Sequence, residues 1–244
     1  LSYTISEKIS QQMVIAPISY FKNIHKDMSI NGQTFNVDVT DAQGRYNVNL
    51  LLDPTFIPSF SKLLTLVKSS LNTDLAHQFS QQLFYWLSPA NPSDSFYLHL
   101  KPPYYPTHHA ISNSSEVTLV IGYSKLKIPW PRLNPSLIAL PALTDINRYD
   151  ASPIILAALV PGWNLDEATQ YRDCIKSSDP NSCDTEYLSS SVPNGTVNQT
   201  HYFLIKATLE RYNQPSLYFS SLVHIEPAHS QLPIQIVWQR FSEN

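Results

Sequence analysis

The sequence predicts an α+β fold in which a helix packs on an antiparallel sheet and a large block of helices is inserted between the strands. Apolar residues recur with a period of two near the start and again over the last fifty or so residues, as in half-buried strands. Between those ends the period becomes helical, and the chain's 19 prolines recur through that middle region and break it into short pieces. At 244 residues and 43% hydrophobic composition, the chain can bury one large core or two small ones.

Ile5, Ile9 and Met13 stand four residues apart, which puts them on one face of a helix ending near Pro17. Such a face needs a sheet to cover. Met28 and Ile30 then alternate with polar residues, Asn31-Gly32 supplies a tight-turn dipeptide, and Phe35, Val37 and Val39 resume the alternation, so a hairpin is expected here. After a turn at Asp41-Ala42-Gln43-Gly44, Phe60, Leu63, Leu64 and Val67 share one helical face and Leu75, Phe79, Leu83 and Trp86 another. Asn113 to Glu116 and Asn164 to Glu167 both have the spacing of a capping box, and Asp150 before Pro153 reads as a third helix start.

Beyond Ser190 the period of two returns. Tyr202 and Leu204 oppose Phe203, Ile205, Ala207 and Leu209, followed by Leu217, Phe219, Val223 and Ile225 and then by Ile234, Ile236 and Trp238. These are three antiparallel strands, joined around Asn213-Gln214-Pro215 and Pro227 to Leu232. The expected organisation is one sheet-bearing domain from residues 1–49 and 193–244, with residues 50–192 inserted as a helical domain.

Several function classes are disfavoured by composition. Charged residues are 14% of the chain and the net charge is -3, so a polyanion would be weakly repelled. With 5 glycines the chain has few of the residues that phosphate-cradling loops need. The longest apolar runs, such as Ile154 to Val160, fall short of the ~20 residues that span a bilayer. Cys174 and Cys183 are near enough in sequence to close a small loop, so a disulfide, and with it an oxidising compartment, is expected in preference to free thiols.

Candidate sites are sparse. Gly44, Arg45, Asn47 and Asn49 could contact a partner or hold backbone groups where the sheet meets the inserted domain, and the second is the ordinary use of buried polar residues. Asp173 to Glu186 includes Asp179, Asn181, Asp184 and Glu186, oxygen donors of the hard type; a solvated acidic loop and a cation site both fit, although the EF-hand spacing is missing. His108-His109 lack metal-binding spacing, and Gly122-Tyr123-Ser124 does not continue as a nucleophile elbow. Asp145 and Asp150 could be imagined as paired carboxylates, but capping accounts for Asp150. Asp145 to Ala158 with Pro161-Gly162 has the outline of a DNA-binding helix-hairpin-helix, yet it offers Arg148 among Asp145, Asp150, Asp166 and Glu167. No residue suggests itself as the nucleophile of a secreted hydrolase, and the chain is not expected to be an enzyme.

The stretch Asp41-Ala42-Gln43-Gly44-Arg45-Tyr46-Asn47-Val48-Asn49 resembles the D-x-x-G-R-x-N-x-N signature of the K-type minor pseudopilins of type II secretion systems, the general secretion pathway protein K family. Trp86, Lys101-Pro102-Pro103-Tyr104, Ser114-Ser115-Glu116-Val117 with Gly122, Asp145 to Pro153, and His201-Tyr202-Phe203 through Val237-Trp238-Gln239-Arg240 follow in the order of that family. Arg148-Tyr149-Asp150 and Leu87-Ser88 depart from it. The resemblance implies a pseudopilin fold, a long N-terminal helix against a four-stranded antiparallel sheet, with a large inserted α-helical domain. It further implies a position at the tip of the periplasmic pseudopilus with I-type and J-type minor pseudopilins, the H-type being a further candidate, and no nucleic-acid partner. Anchoring in the inner membrane would fall to a hydrophobic N-terminal helix preceding Leu1, and association would use the helix face of Ile5, Ile9 and Met13. Calcium binding in the helical domain is also implied, with Asp179, Asn181, Asp184 and Glu186 the candidate ligands.

Overall fold

The computed structural model describes residues 24–30, 32–89, 94–141, 143–177, 183, 196–197, 200–211, 215–225 and 234–243. The chain divides into two compact units, one of residues 1–43 with 199–244 and one of residues 44–198. The sequence placed these divisions at 49/50 and 192/193. Gly44 to Asn49 fall with the helical unit because Asn49 is hydrogen-bonded to Ile111 and Leu140 there, and Thr196-Val197 because they pair with Ile146-Asn147.

In the sheet unit, β1 (Ile24–Ile30), β2 (Gln33–Asp41), β7 (Tyr202–Leu209), β8 (Leu217–Ile225) and β9 (Ile234–Glu243) form one sheet in the order β1-β2-β7-β8-β9, antiparallel throughout. The family resemblance implied four strands. Five occur because the predicted hairpin supplies two and the predicted meander three. Gly32, at φ +77, takes the left-handed conformation that the β1–β2 turn requires.

Alternation then decides the faces. Phe35, Val37 and Val39 of β2, Phe203, Ile205, Ala207 and Leu209 of β7, and Phe219, Val223 and Ile225 of β8 form one buried apolar cluster. The period-of-two reading put Trp238 on the face of Ile236. Instead, Val223 pairs with Ile236 and Leu222 with Trp238, so Val237 is the extra residue of a bulge and Trp238 turns to the opposite face.

Strands β2 and β7 are neighbours in the sheet, Asp41 opposite Phe203, although residues 44–198 separate them in sequence. The insertion therefore leaves from and returns to one end of a single strand pair.

The helical unit opens with β3 (Tyr46–Asn47) and two 3-10 turns, followed by α1 (Ile57–Val67), α2 (Thr73–Leu87), α3 (Asp94–Leu98), α4 (Tyr123–Leu126) and α5 (Trp130–Leu133). Then come β4 (Leu137–Ile138), β5 (Ile146–Asn147), α6 (Pro153–Leu159), α7 (Leu165–Ser177) and β6 (Thr196–Val197). Prolines sit in the first turns of α1, α5 and α6, where a missing N–H costs nothing. The predicted α1 face is wholly buried, and Phe79, Leu83 and Trp86 of α2 pack with it, while Leu75 is half-buried. Ile155, Leu156 and Leu159 of α6 complete this core. Each such side chain contributes roughly 1.5–3 kcal/mol by leaving water. Two parallel two-residue ladders, β3 with β4 and β5 with β6, close the unit.

Candidate functional site

The signature segment splits between two hydrogen-bonded clusters, one in each unit. In the sheet unit, Asp41 Oδ1 accepts from the Gln43 amide and from Thr200 Oγ1, both at 2.7 Å. Gln43 Oε1 in turn accepts from the backbone N–H of His201 at 2.5 Å and of Tyr202 at 3.3 Å, and the Ala42 amide donates to Tyr202 O at 2.9 Å. Asp41, Gln43 and Thr200 are all buried. Unpaired, these groups would each cost roughly 1–3 kcal/mol, so the cluster fastens the end of the β2–β7 pair where the chain departs and returns. Thr200 was not singled out in the sequence. A lone threonine before a strand gives no signal, and its partner Asp41 lies 159 residues away.

The helical unit holds the rest of the segment. Gly44 is required by close approach, since a Cβ there would stand 2.9 Å from Asp150 O. Arg45 lies in a setting that depresses its guanidinium pKa through desolvation. Tyr46 is fully buried; its hydroxyl donates to Phe56 O at 3.2 Å and shares a 2.7 Å bond with Ser59, and burial pushes its pKa upward. Asn47 Oδ1 accepts from the amides of Asn49 and Leu140, at 3.2 and 3.1 Å. Asn49 Nδ2 donates to Ile111 O at 2.9 Å and Leu140 O at 2.6 Å, while its Oδ1 accepts from Ile111 N at 2.9 Å. Both asparagines are wholly inaccessible. Asn47 Oδ1 and both side-chain polar atoms of Asn49 are spent on backbone within the helical unit, which favours the structural reading over a partner contact.

The other candidates fall as follows. Cys174 and Cys183 form a disulfide, tying the last turns of α7 to a buried residue. Asp179, Asn181, Asp184 and Glu186 lie outside the described residues, as do Ile5, Ile9 and Met13. Among the described residues, no group of three or more His, Cys, Asp or Glu side chains is placed to hold a metal ion, and no helix is long and apolar enough to cross a membrane. His108 Nδ1 faces Ser88 O at 2.7 Å and the His108 amide donates to Trp86 O, so this residue caps the C-terminal end of α2. His109 Nδ1 faces Ala110 O.

Asp150 does not cap α6, contrary to the sequence reading. Ser152 is the N-cap residue, and Asp150 Oδ2 accepts from Asn147 Nδ2 at 3.1 Å within the turn that precedes the helix. Asn113 caps a 3-10 turn through Ser115 N, whereas Asn164 forms the full reciprocal box with Glu167. The helix-hairpin-helix outline is present as α6, a turn with Gly162 at φ +83, and α7. Arg148, its candidate basic residue, is 6% exposed, and Asp166 and Glu167 occupy the first turn of α7. That charge and burial repel phosphate instead of attracting it.

No protein-family model and no curated protein matches the sequence. Among solved structures, the chain is similar to a chain of the crystal structure of the GspK-GspI-GspJ complex from the enterotoxigenic Escherichia coli type 2 secretion system. The TM-score is 0.70 and the identity 18%, over 99% of this chain and 94% of that one. The coverage spans both units, so this chain has the fold of a subunit of that type 2 secretion complex, insertion included.

Proposed function

We propose that the chain is a K-type minor pseudopilin of a type II secretion system, located in the periplasm at the membrane, acting through assembly and not through catalysis. The observation that carries this reading is the whole-chain structural likeness to a subunit of the GspK-GspI-GspJ complex, together with the signature segment Asp41 to Asn49. Its partners on this reading are the I-type and J-type minor pseudopilins, with the H-type next in order. The position is the tip of the pseudopilus. A subunit enlarged by residues 44–198 between two adjacent strands is a poor repeat for a slender filament, because every copy would need room for the insertion, and it suits a single terminal place.

Calcium belongs to the same proposal. Asp179, Asn181, Asp184 and Glu186 offer carboxylate and amide oxygens, the donors a hard cation takes, on either side of the disulfide-bonded Cys183. The experiment is a pull-down of this chain against the I-type and J-type subunits from the same source, with calcium and with chelator. Capture of both is expected, together with a melting temperature that falls on chelation. Failure to capture either subunit refutes the family reading, and labelling spread evenly along the filament refutes the tip position.

A further inference from the structure

We propose that the free edge of β9 over Trp238–Glu243 is a strand-docking site that takes an extended segment of a partner subunit alternating apolar with acidic side chains. This rests on the reading of the chain as a subunit of a secretion filament.

Among the described residues the sheet ends on β1 and β9, and an edge strand presents a row of unpaired N–H and C=O groups that a further strand can satisfy. The two edges are built differently. On β1, Lys26 stands opposite Val37 and so occupies the core face, while His25 and Asp27 take the other face. A charge pointing inward on an edge strand deters pairing, because an added strand would have to bury it.

On β9 the bulge at Val237 interrupts the first part of the strand, and Trp238 to Glu243 then pair without a break with Leu217 to Leu222. In that stretch the core face receives Gln239 and Phe241, opposite Ser221 and Phe219, and its one charged residue, Glu243, comes at the last position of the strand, in register with Leu217, where the pairing ends. The rings of Phe219 and Phe241 are 5.0 Å apart, yet Phe219 is 3% exposed and Phe241 is 55% exposed. Among the described residues, the outer flank of Phe241 lacks cover.

On the opposite face the guanidinium of Arg240 lies 4.8 Å from the centre of the Trp238 ring, with no carboxylate in ion-pair reach among the described residues. The buried Trp238 Nε1 has no acceptor there either. A strand laid along β9 would set one side chain beside Phe241 and the next beside Arg240, because successive residues face opposite ways. An apolar residue suits the first place and a carboxylate the second. A second copy of β9 would fit poorly. Its Arg240 face offers Trp238, Arg240 and Ser242 and no anion.

Amide hydrogen exchange on the intact chain, alone and mixed with the I-type and J-type subunits, tests this. Outward-facing amides within Trp238–Glu243 should slow about tenfold or more with partner, while those of β1 stay unchanged. Arg240→Glu should weaken partner binding about tenfold with an unchanged urea midpoint, and Phe241→Ser should weaken it as well. Binding without slowing in β9, or unaltered affinity of R240E, would overturn the proposal while leaving the family reading intact. Should the wild-type chain bind neither subunit, both fall together. Slowing that appears on concentrating the chain alone assigns the edge to self-pairing and likewise overturns it.

Discussion

A buried asparagine is tolerated only where each polar atom finds a partner, and Asn49 finds them in backbone groups 62 and 91 residues away. Its amide acts as a rivet for two loops that have no ladder of their own. Asn49→Ala would leave Ile111 N–H and the carbonyls of Ile111 and Leu140 without these partners, at roughly 1–3 kcal/mol for a buried unsatisfied group. A loss of about 3 kcal/mol is expected in urea unfolding. Asn49→Asp should cost at least as much, since a carboxylate would then face two carbonyl oxygens. A loss below about 1 kcal/mol in either variant would mean that water reaches the site and replaces the bonds. On the sheet, His25 Nδ1 stands 2.7 Å from Asp38 Oδ1, and the hydrogen bond and charge of Asp38 raise the imidazole pKa above the ordinary 6.5. A group whose pKa is higher folded than unfolded makes its full contribution below the unfolded value and loses it as pH rises through the folded value. An NMR titration of His25 should therefore show a midpoint above 6.5, and Asp38→Asn should bring it down; an unmoved midpoint would show that the pair does not form in solution.

Helix α7 begins with a reciprocal cap in which Asn164 Oδ1 accepts from Asp166 N and Glu167 N and Glu167 Oε2 accepts from Asn164 N at 2.7 Å. Replacing Asn164 with Ala should cost about 1 kcal/mol, read as a shifted unfolding midpoint, and Glu167→Gln should cost less because its amide oxygen can still accept. Equal losses would show that the carboxylate's charge at the helix N-terminus, not the bond, is what matters. This cap was legible in four consecutive residues, as were the α1 face, the β1–β2 hairpin and the strands of the meander, because each is specified by neighbours in sequence. What was not legible depends on residues brought from far away. The β3–β4 and β5–β6 ladders are two residues long and have no period to read. The bulge that turns Trp238 over adds one residue with no glycine or proline to announce it. Asp150 has the chemistry of a cap but is drawn to Asn147 instead. At the candidate site, sequence identified Asn47 and Asn49 as polar groups needing partners; it could not say that the partners are loops at Ile111 and Leu140, nor that Thr200 completes the cluster at Asp41.

At the scale of the whole chain, the two apolar clusters share no residue: one is built from Tyr46 to Cys183, the other from Phe35 to Val39 and Phe203 to Ile225. A unit with its own core can fold alone if its chain ends can be joined without strain. For the sheet unit that condition is met, because Asp41 and Phe203 are register partners, the Ala42 amide donates to Tyr202 O, and Gln43 Oε1 reaches the amides of His201 and Tyr202. Deleting residues 44–198 and joining Gln43 to Gln199 through a short Gly/Ser linker therefore converts a long excursion into an ordinary hairpin connection. The shortened chain should fold cooperatively, with a strand-rich circular dichroism spectrum and dispersed amide resonances. Gln43→Ala in that background should destabilise it by roughly 1–3 kcal/mol, because the His201 amide loses its acceptor. A shortened chain that stays unfolded would show that β2 and β7 pair only when the helical unit has formed first, and that the insertion takes part in building the sheet.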